Sequence, residues 1–235
     1  MKIARLGIRT RLGAFAGSVR DLRFRPAVRQ LARGKPDDYR EYLDVQVERT
    51  LSKRDNDPGA GARELVRRVV ELGSLSESSS VLCVGCRNTI ELDLFASAGV
   101  GDVVGIDLVS QRPDVLVMDM HDMSFDDGRF DAVYASHSLE HSYDVEAVVR
   151  ELGRVGRPGA VVGVEVPLGK PASRADRIAF ESLDDLRAAV APAVAEELWA
   201  DQQPARTPMN DQGTPVARVV FRLARLPGDV APARR

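Results

Sequence analysis

The chain has 235 residues, 44% of them hydrophobic and 29% charged, with a formal net charge of -2 at pH 7. This balance excludes a largely disordered chain and suits one domain of ordinary to large size with extra terminal material. No run approaches the roughly 20 consecutive apolar residues of a membrane-spanning helix. The only apolar piece near the start, residues 12–19, is short and rich in Gly and Ala, so a soluble, cytoplasmic protein without a cleaved signal peptide is expected.

Charge is unevenly spread. Residues 1–35 carry ten Lys or Arg against one acid, Asp21, which leaves 23 basic and 34 acidic residues in the remainder. Such a leader suits peripheral contact with an anionic membrane, nucleic acid or the acidic body of its own chain, with a solvated helix or arm as the plain alternative. Nucleic acid is disfavoured, because Phe15 and Phe24 are the leader's only aromatics and the body is acidic.

After the leader, Tyr39, Tyr42, Leu43, Val47 and Leu51 recur at helical spacing until residues 54–61 break the pattern. Asp57 before Pro58 reads as an N-cap and first-turn pair for a second helix, with Leu65, Val66, Val69, Val70 and Leu72 as its apolar stripe and Gly73 at its end. From residue 81 the rhythm changes to short apolar runs between helical segments. Strands are expected at 81–85 (VLCVG), 103–107 (VVGID), 115–119 (VLVMD), 130–136 (FDAVYAS) and 160–166 (AVVGVEV), with helices at 91–98 and 145–152. The fifth strand is entered through the turn signal Arg157-Pro158-Gly159. Ser182 and Asp185 have capping-box spacing for a helix to about Ala191, and strands at 196–200 and 217–224 close the pattern as an antiparallel hairpin. The fold class is α/β: a Rossmann-like, doubly wound, mostly parallel sheet of about seven strands with N-terminal helices. Residues 1–56 form a basic segment and cap helix, 57–226 the catalytic domain and 227–235 a tail.

The chain's two cysteines, Cys83 and Cys86, have CxxC spacing, but a structural zinc site needs four ligands and no second pair exists. They read as small residues at the end of a buried strand. In an open parallel sheet, ligands bind beyond the carboxyl ends of the strands, where strand order reverses. Gly85, Cys86, Arg87 and Asn88 form the turn after the first strand, and Asp107 ends the second, where an acid accepts hydrogen bonds from ribose hydroxyls.

The segments VLCVGCRN, GIDL, VLVMDMHDMSF, GRFDAVYASHSLEHSYD and RELGRVGRPGAVVGVEVP, over about residues 64–170, resemble in order and spacing the class I S-adenosylmethionine-dependent methyltransferases, particularly their type 11 group. The resemblance implies that Gly85–Asn88 hold the methionine part of S-adenosylmethionine and that Asp107, with Leu108, binds the ribose. By the same resemblance Asp119 and Met120 flank the adenine, with His121 and Ser136 beside the cofactor. The chain departs from the family's acid and Gly-x-Gly-x-Gly motif: Cys83 stands at the acid position, and Arg87 and Thr89 replace two glycines.

The three histidines, His121, His137 and His141, all follow the third or fourth strand, and imidazole titrates near neutral pH. His137 and His141 are therefore the candidate catalytic residues, as base or acceptor contact. His137, Glu140 and His141 also match, with His137 in place of the first Glu, the Glu-x-x-Glu-His loop that binds a divalent metal in ubiquinone-type O-methyltransferases and small-RNA 2′-O-methyltransferases. Relatives without metal keep the same Glu and His as structural residues, and no metal site is assigned.

The expected reaction is methyl transfer to O or N, less readily C, of a small-molecule or glycan-type acceptor. Only residues 167–178 separate the fifth strand from the next helix, so Tyr39, Tyr42 and the leader are the candidate cap. Two other functions stay open: a cofactor-binding protein without transfer, and an enzyme using the cofactor for other chemistry such as cyclisation. A nicotinamide oxidoreductase is disfavoured, because residues 85–90 lack the glycines that admit a pyrophosphate.

Overall fold

The computed structural model describes residues 25–53, 56–87, 89–110 and 112–224. Most of the basic leader and the tail lie outside them. In chain order the elements are α1 (Arg25–Leu31), α2 (Asp37–Lys53), α3 (Gly59–Gly73), β1 (Ser80–Val84), α4 (Ile90–Ser97), β2 (Asp102–Asp107), β3 (Val115–Val117), β4 (Phe130–Ser136), α5 (Val145–Val155), β5 (Gly156–Pro167), α6 (Leu183–Val190), β6 (Val194–Gln203) and β7 (Val216–Leu223).

The seven strands form one sheet in the order β3-β2-β1-β4-β5-β7-β6. Pairings from β3 to β5 are parallel, and β7 runs antiparallel to both β5 and β6. The chain leaves β1 toward one edge and returns to β4 on the other side, which opens a crevice beyond the carboxyl ends of β1 and β4. Helices cover both faces, so the central strands are mostly apolar on both sides. In β1, Leu82 and Val84 pack with Val148, Leu152 and Leu186, while Val81 and Cys83 pack with Leu65, Val69 and Phe95 on the other face. No helix among the described residues is long and apolar enough to cross a membrane.

Local chemistry explains the helix ends. Asp144 accepts from the Ala147 N–H at 3.0 Å and starts α5, and Ser182 and Asp185 form the expected capping box of α6. Asp57 is not the N-cap of α3: Pro58 takes that position, and the Asp57 carboxylate accepts from Gly59 N, two residues on, at 2.7 Å. β3 is shorter than the apolar run implies, because the chain turns out of the sheet after Val117. β5 begins earlier, since Gly156 already pairs with Phe130 and the Arg157-Pro158-Gly159 turn is a bulge within the strand. β6 extends beyond its expected bounds to Val194–Gln203, whereas β7, Val216–Leu223, is offset by one residue from the expected strand. β6 is an edge strand with two register irregularities.

Helix α2 lies outside the sheet. Tyr39, Tyr42, Leu43 and Val47 bury one face with Val28, Ala32 and Val109, and the two tyrosines pack against Tyr143. Polar links finish the attachment: Gln46 donates to Ala175 O at 2.9 Å, and Tyr143 donates to Asp38.

Candidate active site

An open cleft enclosing about 1210 Å³, partly continuous with solvent, lies at the carboxyl edge of the sheet under α2. Gly85 turns the chain out of β1 at φ 72°, where a Cβ would collide with the Ser138 hydroxyl. Arg87 and Thr89 also have positive φ, 28° and 72°. They stand where the methyltransferase motif has glycine, and the loop keeps the glycine backbone despite carrying side chains. A β-branched residue at that φ is strained by about 1–3 kcal/mol.

Asp107, buried at the end of β2, accepts from Arg87 N at 2.9 Å and Val109 N at 3.2 Å. Burial pushes its carboxyl up, and these N–H groups oppose the rise. Asp119 is also buried. Its carboxylate accepts from the Tyr39 hydroxyl at 2.6 Å and from His121 N at 3.0 Å, and it lies 2.7 Å from His121 Nδ1. Burial would raise Asp119, but the His121 and Tyr39 contacts outweigh it and hold the carboxyl below its ordinary range. Asp119 thus joins α2 to the loop after β3.

The turn after β4 holds a buried charge network. His137, at φ 51°, has Nε2 3.2 Å from Glu165 and Nδ1 3.5 Å from Glu140. Ser136 donates to the same Glu165 oxygen at 3.0 Å, and the fully buried Arg218 approaches the other at 3.9 Å. Burial disfavours the imidazolium, yet the two carboxylates outweigh it and push His137 up to about 10. The two carboxylates thus favour the imidazolium form of His137 over the neutral ring that a base needs.

His141 is also engaged. Its Nδ1 lies 3.0 Å from both Ala175 O and Asp176 Oδ1, and its Nε2 accepts from Arg49 Nε at 3.2 Å. Arg49 also pairs with Asp176 at 2.9 Å. His141 fastens α2 to the loop after β5, which leaves no ring nitrogen for a proton transfer. Among the described residues no group of three or more His, Cys, Asp or Glu is arranged to hold a metal ion.

Of the residues singled out from sequence, Gly85, Arg87, Asp107, Leu108, Asp119, Met120, Ser136, His137 and His141 line this one cleft. Cys86 does not: its thiol is buried and faces Ile106 O at 3.6 Å. His121 is likewise withdrawn, its ring held between Asp119 and the Tyr143 N–H at 3.0 Å. Asn88 lies outside the described residues. Both cysteines are free and buried, with thiols raised by burial.

Sequence reading missed Glu91, whose side chain lines the cleft from the first turn of α4 with Oε2 unpartnered. Burial pushes it up to about 7 against the pull of Arg87 and His137. It also missed Glu165, although a lone acid inside an apolar strand is a visible signal for a buried charge partner.

Residues 82–164 match the sequence profile of a methyltransferase domain, type 11. The matched stretch, which spans β1 to β5, is similar to methyltransferase domains. A 46-residue segment is 48% identical to sterol 24-C-methyltransferase erg6 of Aspergillus fumigatus, over 20% of this chain and 12% of that protein. The chain thus spans only a small part of that curated relative. Among solved structures, the fold is similar to the Burkholderia thailandensis 1,6-didemethyltoxoflavin-N1-methyltransferase with bound S-adenosylhomocysteine, at TM-score 0.64 and 17% identity, over 79% of this chain and 90% of that one. It is also similar to the 4+2 cyclase SpnF, at TM-score 0.58 and 21% identity, over 72% of this chain and 85% of that one. In this methyltransferase fold the switch-point crevice and the cleft under α2 coincide.

Proposed function

We propose that this methyltransferase acts in the cytoplasm and moves the methyl group of S-adenosylmethionine to an oxygen or nitrogen of a small-molecule or glycan-type acceptor. The observation that carries the reading is the placing of the Gly85–Arg87 turn and the Asp107 carboxylate on one cleft. These residues fit the cofactor. Asp107 keeps acceptor capacity for ribose hydroxyls after receiving two N–H groups, and the Gly85 turn leaves the backbone open beside the methionine end. Met118 and Met120 offer apolar cover for the adenine.

When bound, S-adenosylmethionine supplies an electrophilic methyl group on a cationic sulfur. The chain's own work is to orient the acceptor and exclude water. Glu140 and Glu165 favour the His137 imidazolium, and the His141 ring is engaged by Arg49, Ala175 and Asp176, so neither histidine is offered as a free base. This favours an acceptor that arrives nucleophilic, such as an amine or an ionised oxygen. Isothermal titration with S-adenosylhomocysteine tests the cofactor site, and absence of heat at millimolar ligand refutes it. Release of S-adenosylhomocysteine with an acceptor panel then tests transfer.

A second reading, cofactor-dependent chemistry without methylation, is favoured by the same lack of a free base and by Arg87 and Thr89 in the altered loop. Product mass separates the two, since only transfer adds a methylene.

A further inference from the structure

One wall of the cleft is cationic. Arg49 and Lys53 from the last turns of α2, Arg87 after β1 and Lys170 after β5 all line it. The charges are mutually close: the Lys53 ammonium is disfavoured first by burial and then by Arg49, Lys170 and Arg87, with Asp176 opposing. Asp176 is already occupied by Arg49 at 2.9 Å and His141 at 3.0 Å.

Of the other acids near the cleft, Asp57 pairs with Arg63 and Glu91 acts on Arg87, which leaves the two lysines without an acid partner. Asp107 is bonded by backbone N–H groups, and Asp119 by Tyr39 and His121. Glu140 and Glu165 surround His137. Among the described residues Lys53 and Lys170 have neither a hydrogen bond nor an ion pair, although both are half-buried. An ammonium kept partly out of water without a partner is costly, and it offers three donors to whatever enters. The cofactor's methionine carboxylate would take one positive charge, and the resemblance assigns that end to the loop carrying Arg87. Two cations then remain, Lys53 at the end of α2 and Lys170 after β5.

We propose that the acceptor carries an anionic group, a phosphate or a carboxylate, received between Lys53 and Lys170. The inference rests on the methyltransferase reading above and adds the acceptor's charge class. Walls of one sign in a cleft focus the field on an incoming ligand and raise its local concentration, so the same residues both attract the acceptor and fix which end enters. A neutral acceptor would leave both ammonium groups unpaired in the closed complex.

The test uses the full chain saturated with S-adenosylhomocysteine and titrated at low ionic strength with inorganic phosphate and, separately, with acetate. Phosphate is expected to bind, and K53Q and K170Q each to weaken it about tenfold. K35Q, whose lysine pairs with Asp122 away from the cleft, is expected to leave binding unchanged. S-adenosylhomocysteine affinity in the lysine variants is expected to stay within about twofold of wild type, which shows that they are folded. Preference for phosphate identifies a phosphorylated acceptor, and equal binding of acetate identifies a carboxylate. If neither anion binds the loaded protein, or if the lysine variants bind as well as wild type, the anionic acceptor is overturned and the cofactor reading stands. Failure of wild type to bind S-adenosylhomocysteine overturns the cofactor reading and this inference with it.

Discussion

Replacing His137 by Asn removes the cation between Glu140 and Glu165 while keeping a residue type that tolerates the observed φ of 51°. The rise of the imidazolium from 6.5 to about 10 corresponds to about 5 kcal/mol of preferential stabilisation of the charged form. Breaking a buried ion pair from one side costs about 3–5 kcal/mol. The side chain is 23% exposed, so water shares part of the charge and the lower end of that range is expected. Because the folded-state value lies above the unfolded one, the contribution is complete below about pH 6.5 and is lost progressively as pH climbs to about 10. Urea unfolding of wild type and H137N at pH 6 and pH 10 reads this directly. At pH 6 the variant is expected to be less stable by about 3 kcal/mol, and at pH 10 the gap should shrink to about 1 kcal/mol. A gap that does not change with pH would refute the assignment of His137 as a buried cation.

Further outcomes concern the rest of the cleft. D107A should weaken S-adenosylhomocysteine binding by about 10- to 100-fold in calorimetry, the loss of a charge-assisted contact worth about 1.5–3 kcal/mol. Y39F removes the 2.6 Å hydrogen bond to the buried Asp119 carboxylate, and scanning calorimetry should show about 1–3 kcal/mol of lost stability. Burial lifts Glu91 from 4.5 to about 7, so its folded-state penalty grows as pH rises through that window; E91Q should stabilise the ligand-free chain by about 1–3 kcal/mol at pH 8 in urea. The same variant should flatten any change in cofactor affinity between pH 6 and 8, and an unaltered slope would remove Glu91 from the site. Cys83 and Cys86 should resist a thiol reagent in the native state and react together in urea, because both are buried and their thiolates are disfavoured.

What sequence revealed here follows the range of the forces involved. β1 and β4 were visible because a strand buried on both faces reads as a near-continuous apolar run, and the α6 capping box is spelled within four adjacent residues. The length of β3 was not visible, since Val115–Asp119 is apolar almost throughout and only the tertiary role of Asp119 draws it out of the sheet. Asp107 and Asp119 could be located from their strand ends. Their partners could not: Tyr39 reaches Asp119 from 80 residues away, and Arg218 approaches Glu165 from a strand at the far end of the chain. The histidines show the same limit. Position placed them at the cleft, but protonation and ring contacts depend on Glu165, Arg49 and Asp176, which converge only in the folded chain.

The outer strand of the sheet bears on how this protein behaves at high concentration. β6 presents a ten-residue edge, long enough to template pairing with another molecule. Its two bulges break the run of backbone donors and acceptors, Glu196 and Glu197 add charge along it, and Arg187 reaches across to Glu197 at 2.8 Å. Edge-to-edge growth of the sheet is thereby discouraged.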